Sequence, residues 1–325
     1  MAENHTIEID PHDADSSLGD DVSAATTSLK SSVLEYRYRH GRRYHSDRSG
    51  GDYSFPNDEQ EQERLDMLHN MFVHLMGDKL FLAPFDPQNK RILDIGTGTG
   101  AWAIDFGDEY PDAEHIDGLD LSPIQPQFVP PNVQFFVDDV ELDWANPQPY
   151  DYIHCRYMAG SIKDWPRLLL QMYDNLKPGG WVEFQESANT LFSQDDTLKP
   201  ENPMTRMMDG LKEACDKIGR TMDPAPNMQK WTVDAGFERV RVETFKLPIG
   251  SWPKDPRLKQ CGAIMRQNFI EGVDAFTTVL FRDVLQWSEE EVQVFNAEVR
   301  AAAKDPHVHA LFDVLVVMGQ KPSTG

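Results

Sequence analysis

The stretch RILDIGTGTGAWAIDFGDEYPDAEHIDGLDLS, residues 91–122, decides the fold. Arg91–Ile95 reads as a short buried strand. A glycine loop follows at once, with Gly96, Gly98 and Gly100. AWAIDFGDEY then reads as a helix, and HIDGLDLS holds a second strand. Glycines at a strand end permit positive φ and close backbone approach. The helix behind them presents free N–H groups to a ligand. Gly96-x-Gly98-x-x-Ala101 even satisfies a relaxed dinucleotide fingerprint, so the loop alone leaves the nucleotide open.

Asp94 narrows the choice. It lies two residues before Gly96, where a pyrophosphate would meet like charge in a partly desolvated cleft. S-adenosylmethionine has no phosphate and carries an ammonium and a cationic sulfur, so a carboxylate there is attractive. The other reading is that Asp94 bonds loop amides. Asp120 ends the second strand, where a carboxylate accepts ribose hydroxyls of either ligand. FFVDDVE ends a third strand. Of its two adjacent acids, alternation allows one to face the crevice. Asp139, with the backbone N–H of Val140, is the expected partner of the adenine edge, and Asp138 its solvated neighbour. Thr97 and Leu121 complete the expected donor-binding set.

Outward from this stretch, strands and helices alternate. YDYIHCR is a fourth strand, WPRLLLQMYDNL an amphipathic helix ended by KPGG, and WVEFQES the next strand. Helices near 203–218 and over MQKWTVDAGF precede a sixth strand, ERVRVETFKLPIG. Residues 257–303 read as helical throughout, and HVHALFDVLVVMGQK as a seventh strand. The pattern argues a doubly wound α/β sheet. Residues 1–30 are polar and acidic and are expected to be a disordered tail. Residues 31–87 are read as an N-terminal helical and lid segment, with a helix starting at Asn57 or Asp58. The main domain spans 88–325, with a helical lid insertion at about 250–305.

The chain has 31 basic and 54 acidic side chains, a formal charge of −23. That balance argues against nucleic acid or an anionic membrane as a partner. Cys155, Cys215 and Cys261 are widely spaced, which argues for a reducing compartment and against a metal site. No signal peptide or membrane-length apolar run is evident. The expected location is cytoplasmic or nuclear.

The loop, the acidic strand ends and LKPGGWVEFQES resemble class I S-adenosylmethionine-dependent methyltransferases. LEYRYRHGRRY, FPNDEQEQERLDMLHNMF and YDYIHCRYMAGSIKDW make the chain most similar to fungal LaeA-like methyltransferases. The resemblance implies a Rossmann-like seven-stranded sheet with its last strand antiparallel and inserted. It implies donor contacts at Asp94, Gly96, Gly98, Asp120, Asp139 and Val140. It assigns no catalytic base.

Candidate groups for chemistry lie at the carboxyl ends of strands four and five. His154 and Arg156 share one face of strand four, with Cys155 on the other. Arg156 would bind an acceptor carboxylate or the donor's own, or pair with Asp151 or Glu186. His154 is either a base or a satisfied strand histidine. Glu186 is either an acid in the site or a loop cap. In the lid segment that holds the basic run Arg37–His45, Tyr36, Tyr38 or Tyr44 is expected to pack near the donor, and Tyr44 is the one selected. Trp252, Met265, Phe269, Phe276 and Phe281 are core or the lining of an apolar acceptor pocket. The expected function is methyl transfer to a small-molecule, secondary-metabolite acceptor. The alternative is a LaeA-like regulator acting through protein partners. A protein partner or homodimer is compatible with either.

Overall fold

The computed structural model describes residue 7 and residues 36–45, 54–144 and 148–323. The expected tail over 1–30 lies outside the described residues except for Ile7, whose N–H donates to Gln194 Oε1 at 2.9 Å.

A small hairpin opens the fold, β1 (Arg37–Arg39) and β2 (Arg42–Tyr44). His40 and Gly41 turn it with φ of 51° and 79°. Positive φ at both central residues suits the twist of a two-residue hairpin turn. Helix α1 (Glu59–Leu75) follows, capped by Asp58, whose carboxylate accepts the Glu61 N–H at 3.2 Å. Then come β3 (Arg91–Ile95), α2 (Ala101–Glu109), β4 (His115–Asp120), β5 (Val133–Val137), β6 (Tyr150–Arg156), α3 (Trp165–Asp174) and β7 (Leu176–Phe192). The chain continues through α4 (Pro203–Lys217), α5 (Ala225–Asp234), β8 (Glu238–Pro248), α6 (Pro256–Val279), a π-helical turn (Leu280–Val284), α7 (Glu289–Ala303) and β9 (Leu311–Gln320).

The seven-stranded sheet has the order β5-β4-β3-β6-β7-β9-β8. β9 is antiparallel to both neighbours, and the pairs β3–β4, β4–β5, β3–β6 and β6–β7 are parallel. This is the expected sheet, with its last strand inserted. Strand order reverses at β3, so a crevice opens above the carboxyl ends of β3 and its neighbours.

Three apolar clusters hold the layers. Trp102, Phe106 and Tyr152 fill the α2 face of the sheet. Trp165, Leu168, Leu169 and Met172 fill the α3 face with Ile153 and Cys155. The alternation of β6 thus sends neighbouring residues to opposite layers. A third cluster joins α1, α4, α6 and α7 through Phe72, Met208, Phe269 and Val299.

Several details depart from the sequence reading. β7 begins at Leu176 and so includes KPGG, with a register irregularity between Tyr150 and Tyr152 of its partner. The run 257–303 is broken around 285–288. Gln286 sits at φ 63°, and Ser288 and Glu291 form a reciprocal capping box that starts α7. Ser-x-x-Glu is a helix-start signal and was legible there. Among the described residues no helix is long and apolar enough to cross a membrane.

Candidate functional site

The loop after β3 owes its shape to three left-handed glycines, Gly96, Gly98 and Gly100, at φ 65°, 58° and 85°. A Cβ on Gly96 would strike the Met158 thioether, and one on Gly100 the Phe135 ring. Above Gly98 only Leu65 comes near, at 3.6 Å. The loop is tied to β4 by the Thr97 N–H, which donates to Leu119 O at 2.9 Å. Asp120 accepts the Gly98 N–H and the Ser122 N–H, each at 2.8 Å. Burial pushes the Asp120 carboxyl up to about 6, against the pull of those amides.

A cavity of about 430 Å³ lies over this loop, within the usual size range of a small-molecule site. Gly96, Thr97, Gly98, Asp120, Leu121, Asp139 and Val140 are all on its wall. Asp138 is there too. Asp138 is exposed, and its Oδ1 accepts the Asp139 N–H at 2.8 Å.

Asp94 sits one layer back. It is 3% exposed and absent from the wall. Its Oδ2 accepts the Thr97 hydroxyl at 2.6 Å, and its Oδ1 meets His154 Nδ1 at 2.7 Å. Its charge therefore reaches the cavity across the loop, without direct contact. The loop amide is held instead by Asp120.

The three residues expected to do chemistry separate. His154 is fully buried, stacked on Trp102 at 3.9 Å between centroids, and does not line the cavity. Glu186 is also set back from the wall. Its oxygens accept the N–H groups of Met158 and Ser187 at 2.7 and 3.2 Å, the loop-cap alternative. Burial raises its carboxyl to about 8 despite those amides. Arg156 alone lines the cavity. Asp151 is taken by Lys177, and Glu186 by backbone, so neither expected ion pair forms. Tyr44 is buried and off the wall, and its neighbour His45 lines the cavity instead.

Beyond the donor loop the wall turns apolar. Met207, Met208, Met265, Phe269, Phe276 and Phe312 form a chamber roofed by α1, α4 and α6. Of the lid residues singled out, Met265, Phe269 and Phe276 line it, while Trp252 and Phe281 are core. Missed by sequence reasoning was the polar joint between α1 and α6. Glu61 holds Arg64 Nε at 2.8 Å, and Arg64 Nη1 donates to Asn268 Oδ1 at 2.7 Å, all three side chains being buried. Burial opposes the Arg64 charge, but the Glu61 carboxylate outweighs it and raises the pKa. Tyr157, at φ 56°, packs beneath Arg64 on the same wall.

The methyltransferase-domain family matches residues 67–242. The chain is 59% identical over 302 residues to methyltransferase pytC of Aspergillus terreus, covering 93% of each protein. It is 33% identical over 295 residues to the protein-methionine methyltransferase laeA of Emericella nidulans, covering 89% of this chain and 77% of that one. It is 32% identical over 265 residues to the probable methyltransferase tdiE of the same fungus, covering 81% and 82%.

Proposed function

The chain belongs to the methyltransferase-domain family, with the fungal laeA-like proteins among its relatives, and from that premise we propose that it methylates a bulky, largely apolar small molecule, taking the methyl group from S-adenosylmethionine. One observation carries the reading. A single cavity joins the glycine loop and acidic strand ends to a chamber of methionine and phenylalanine side chains.

The residues fit an adenosyl donor. Gly98 has only the Leu65 side chain within 4 Å of where a Cβ would stand, Asp120 lies on the wall, and the Asp139–Val140 turn borders the same space. Asp120 holds the ribose hydroxyls, and Asp139 with Val140 holds the adenine edge. When bound, the donor supplies a methyl group on a cationic sulfur, a leaving group that needs no acid. What the chain adds is position and dryness. The apolar chamber orients the acceptor and keeps water out. Glu61, the acid contributed by α1, has both oxygens engaged by Arg64 and serves the wall instead of removing protons. Closure of the cover helices over both ligands would shield the sulfur.

Labelled S-adenosylmethionine incubated with the protein and a fungal metabolite extract tests this. Label should appear in apolar small molecules. Label confined to protein, or none, would sink the small-molecule reading and favour a regulator working through protein partners.

A further inference from the structure

Arg156 stands out among the cations of the cavity wall. Its Nη2 donates to His69 Nδ1 at 2.8 Å, a neutral acceptor. Its Nη1 is buried without a hydrogen-bond partner. Phe72 covers the guanidinium, with 5.5 Å from its carbon to the ring centroid. No carboxylate makes an ion pair with it in the described structure. A guanidinium with a buried and unused N–H is costly unless a ligand completes it.

The histidine is itself fixed. His69 is 5% exposed, and its Nε2 lies 2.8 Å from Asp105 Oδ2. Accepting from Arg156 at Nδ1 requires the hydrogen on Nε2, which Asp105 then accepts. One tautomer satisfies both contacts, and burial lowers the His69 pKa, which keeps the ring neutral. Burial likewise brings Arg156 down to about 10, so it remains charged at neutral pH.

Place decides which anion. Arg156 is two residues beyond His154 on one face of β6, and His154 is the register partner of Asp94. Ala101 and Trp102, the uncapped first turn of α2, share the cavity wall with Arg156. A cation and a carboxylate thus flank the glycine loop, Arg156 on the wall and Asp94 behind it. That pairing of charges matches a zwitterionic α-amino acid. It lies at the loop, not among the methionines of the far chamber.

We infer that Arg156, oriented by His69 and Asp105, is the subsite for the carboxylate of the donor's methionine end. The inference rests on the proposed methyltransferase reading. It makes His69 a positioning residue, and it makes α1 part of donor recognition as well as of the acceptor chamber.

Titration calorimetry with two probes tests it. S-adenosylhomocysteine carries the amino-acid end; 5′-methylthioadenosine lacks it. Arg156→Met should weaken S-adenosylhomocysteine about 30-fold, the scale of a lost charged hydrogen bond, and leave methylthioadenosine within about threefold. Arg156→Lys should recover part of the loss. His69→Leu should weaken only the first probe, and His69→Gln, which still accepts and donates, should restore it. Unchanged S-adenosylhomocysteine affinity in Arg156→Met would overturn the inference and give the cation to an acceptor carboxylate. Equal loss for both probes would overturn it by showing a structural role. Wild-type protein that binds neither probe would overturn the methyltransferase reading along with it.

Discussion

His154 Nδ1 lies 2.7 Å from Asp94 Oδ1, and the two residues are register partners on adjacent parallel strands. The ring is clamped against Trp102, so it holds the carboxylate that in turn holds Thr97 of the loop. His154→Leu removes the partner and leaves a buried carboxylate. Urea unfolding should show a loss of about 3 kcal/mol. Affinity for S-adenosylhomocysteine should fall as well, because Thr97 loses its anchor. Unchanged stability would mean that the pair is dispensable.

Asp120 gives a pH dependence. Its folded pKa of about 6 lies above the ordinary 3.8. The folded state therefore binds this proton more tightly than the unfolded chain. Its contribution to stability is greatest below 3.8 and is lost as pH rises through 6. Ligand binding runs the other way, since ribose hydroxyls need the ionised acceptor. S-adenosylhomocysteine affinity should drop by up to about tenfold per pH unit below that midpoint. Asp120→Asn should flatten this profile and weaken binding at pH 7 by about 10- to 100-fold. A profile equally steep in the variant would remove Asp120 from the binding site.

Gly96→Ala tests the loop. The new methyl group meets both a positive φ of 65° and the Met158 thioether. The strain costs about 1–2 kcal/mol before any repacking. Thermal melting should report that loss, and donor binding should fall by more than stability does. Adding Met158→Ala should relieve the collision while leaving the backbone strain. A double variant no better than the single one would show that Met158 is not the obstacle.

The α1–α6 joint should behave as a buried ion pair. Arg64→Met strands Glu61 and should cost about 3–5 kcal/mol in urea unfolding. Replacing both, Glu61→Met with Arg64→Met, should recover most of that loss. If acceptor turnover then stays low despite recovered stability, the joint also shapes the chamber.

What could be read from sequence follows from how local each signal is. The glycine loop and Asp120 were legible because strand, loop, helix and strand are contiguous there, and each element constrains the next. Period-two alternation placed His154 and Arg156 on one face. It could not say that His154 stops beneath Trp102 while Arg156 reaches the cavity, since depth depends on α2. Arg64 and Asn268 are 204 positions apart. No periodicity links such residues; only the packing of α1 on α6 does. The hairpin was missed for a simpler reason. Its turn, His40-Gly41, is a two-residue turn signal embedded in a run read for its charge.

The place of β9 has a consequence for how this protein must be made. Its slot lies between β7 and β8, both translated earlier. Until β9 arrives, β8 has no neighbour to pair with, and one edge of β7 is open. Those pairings are long-range, so closing the sheet is a late event. In the interval the half-built protein exposes sticky strand edges. Expression at lower temperature, or with a holding chaperone, should raise the soluble yield.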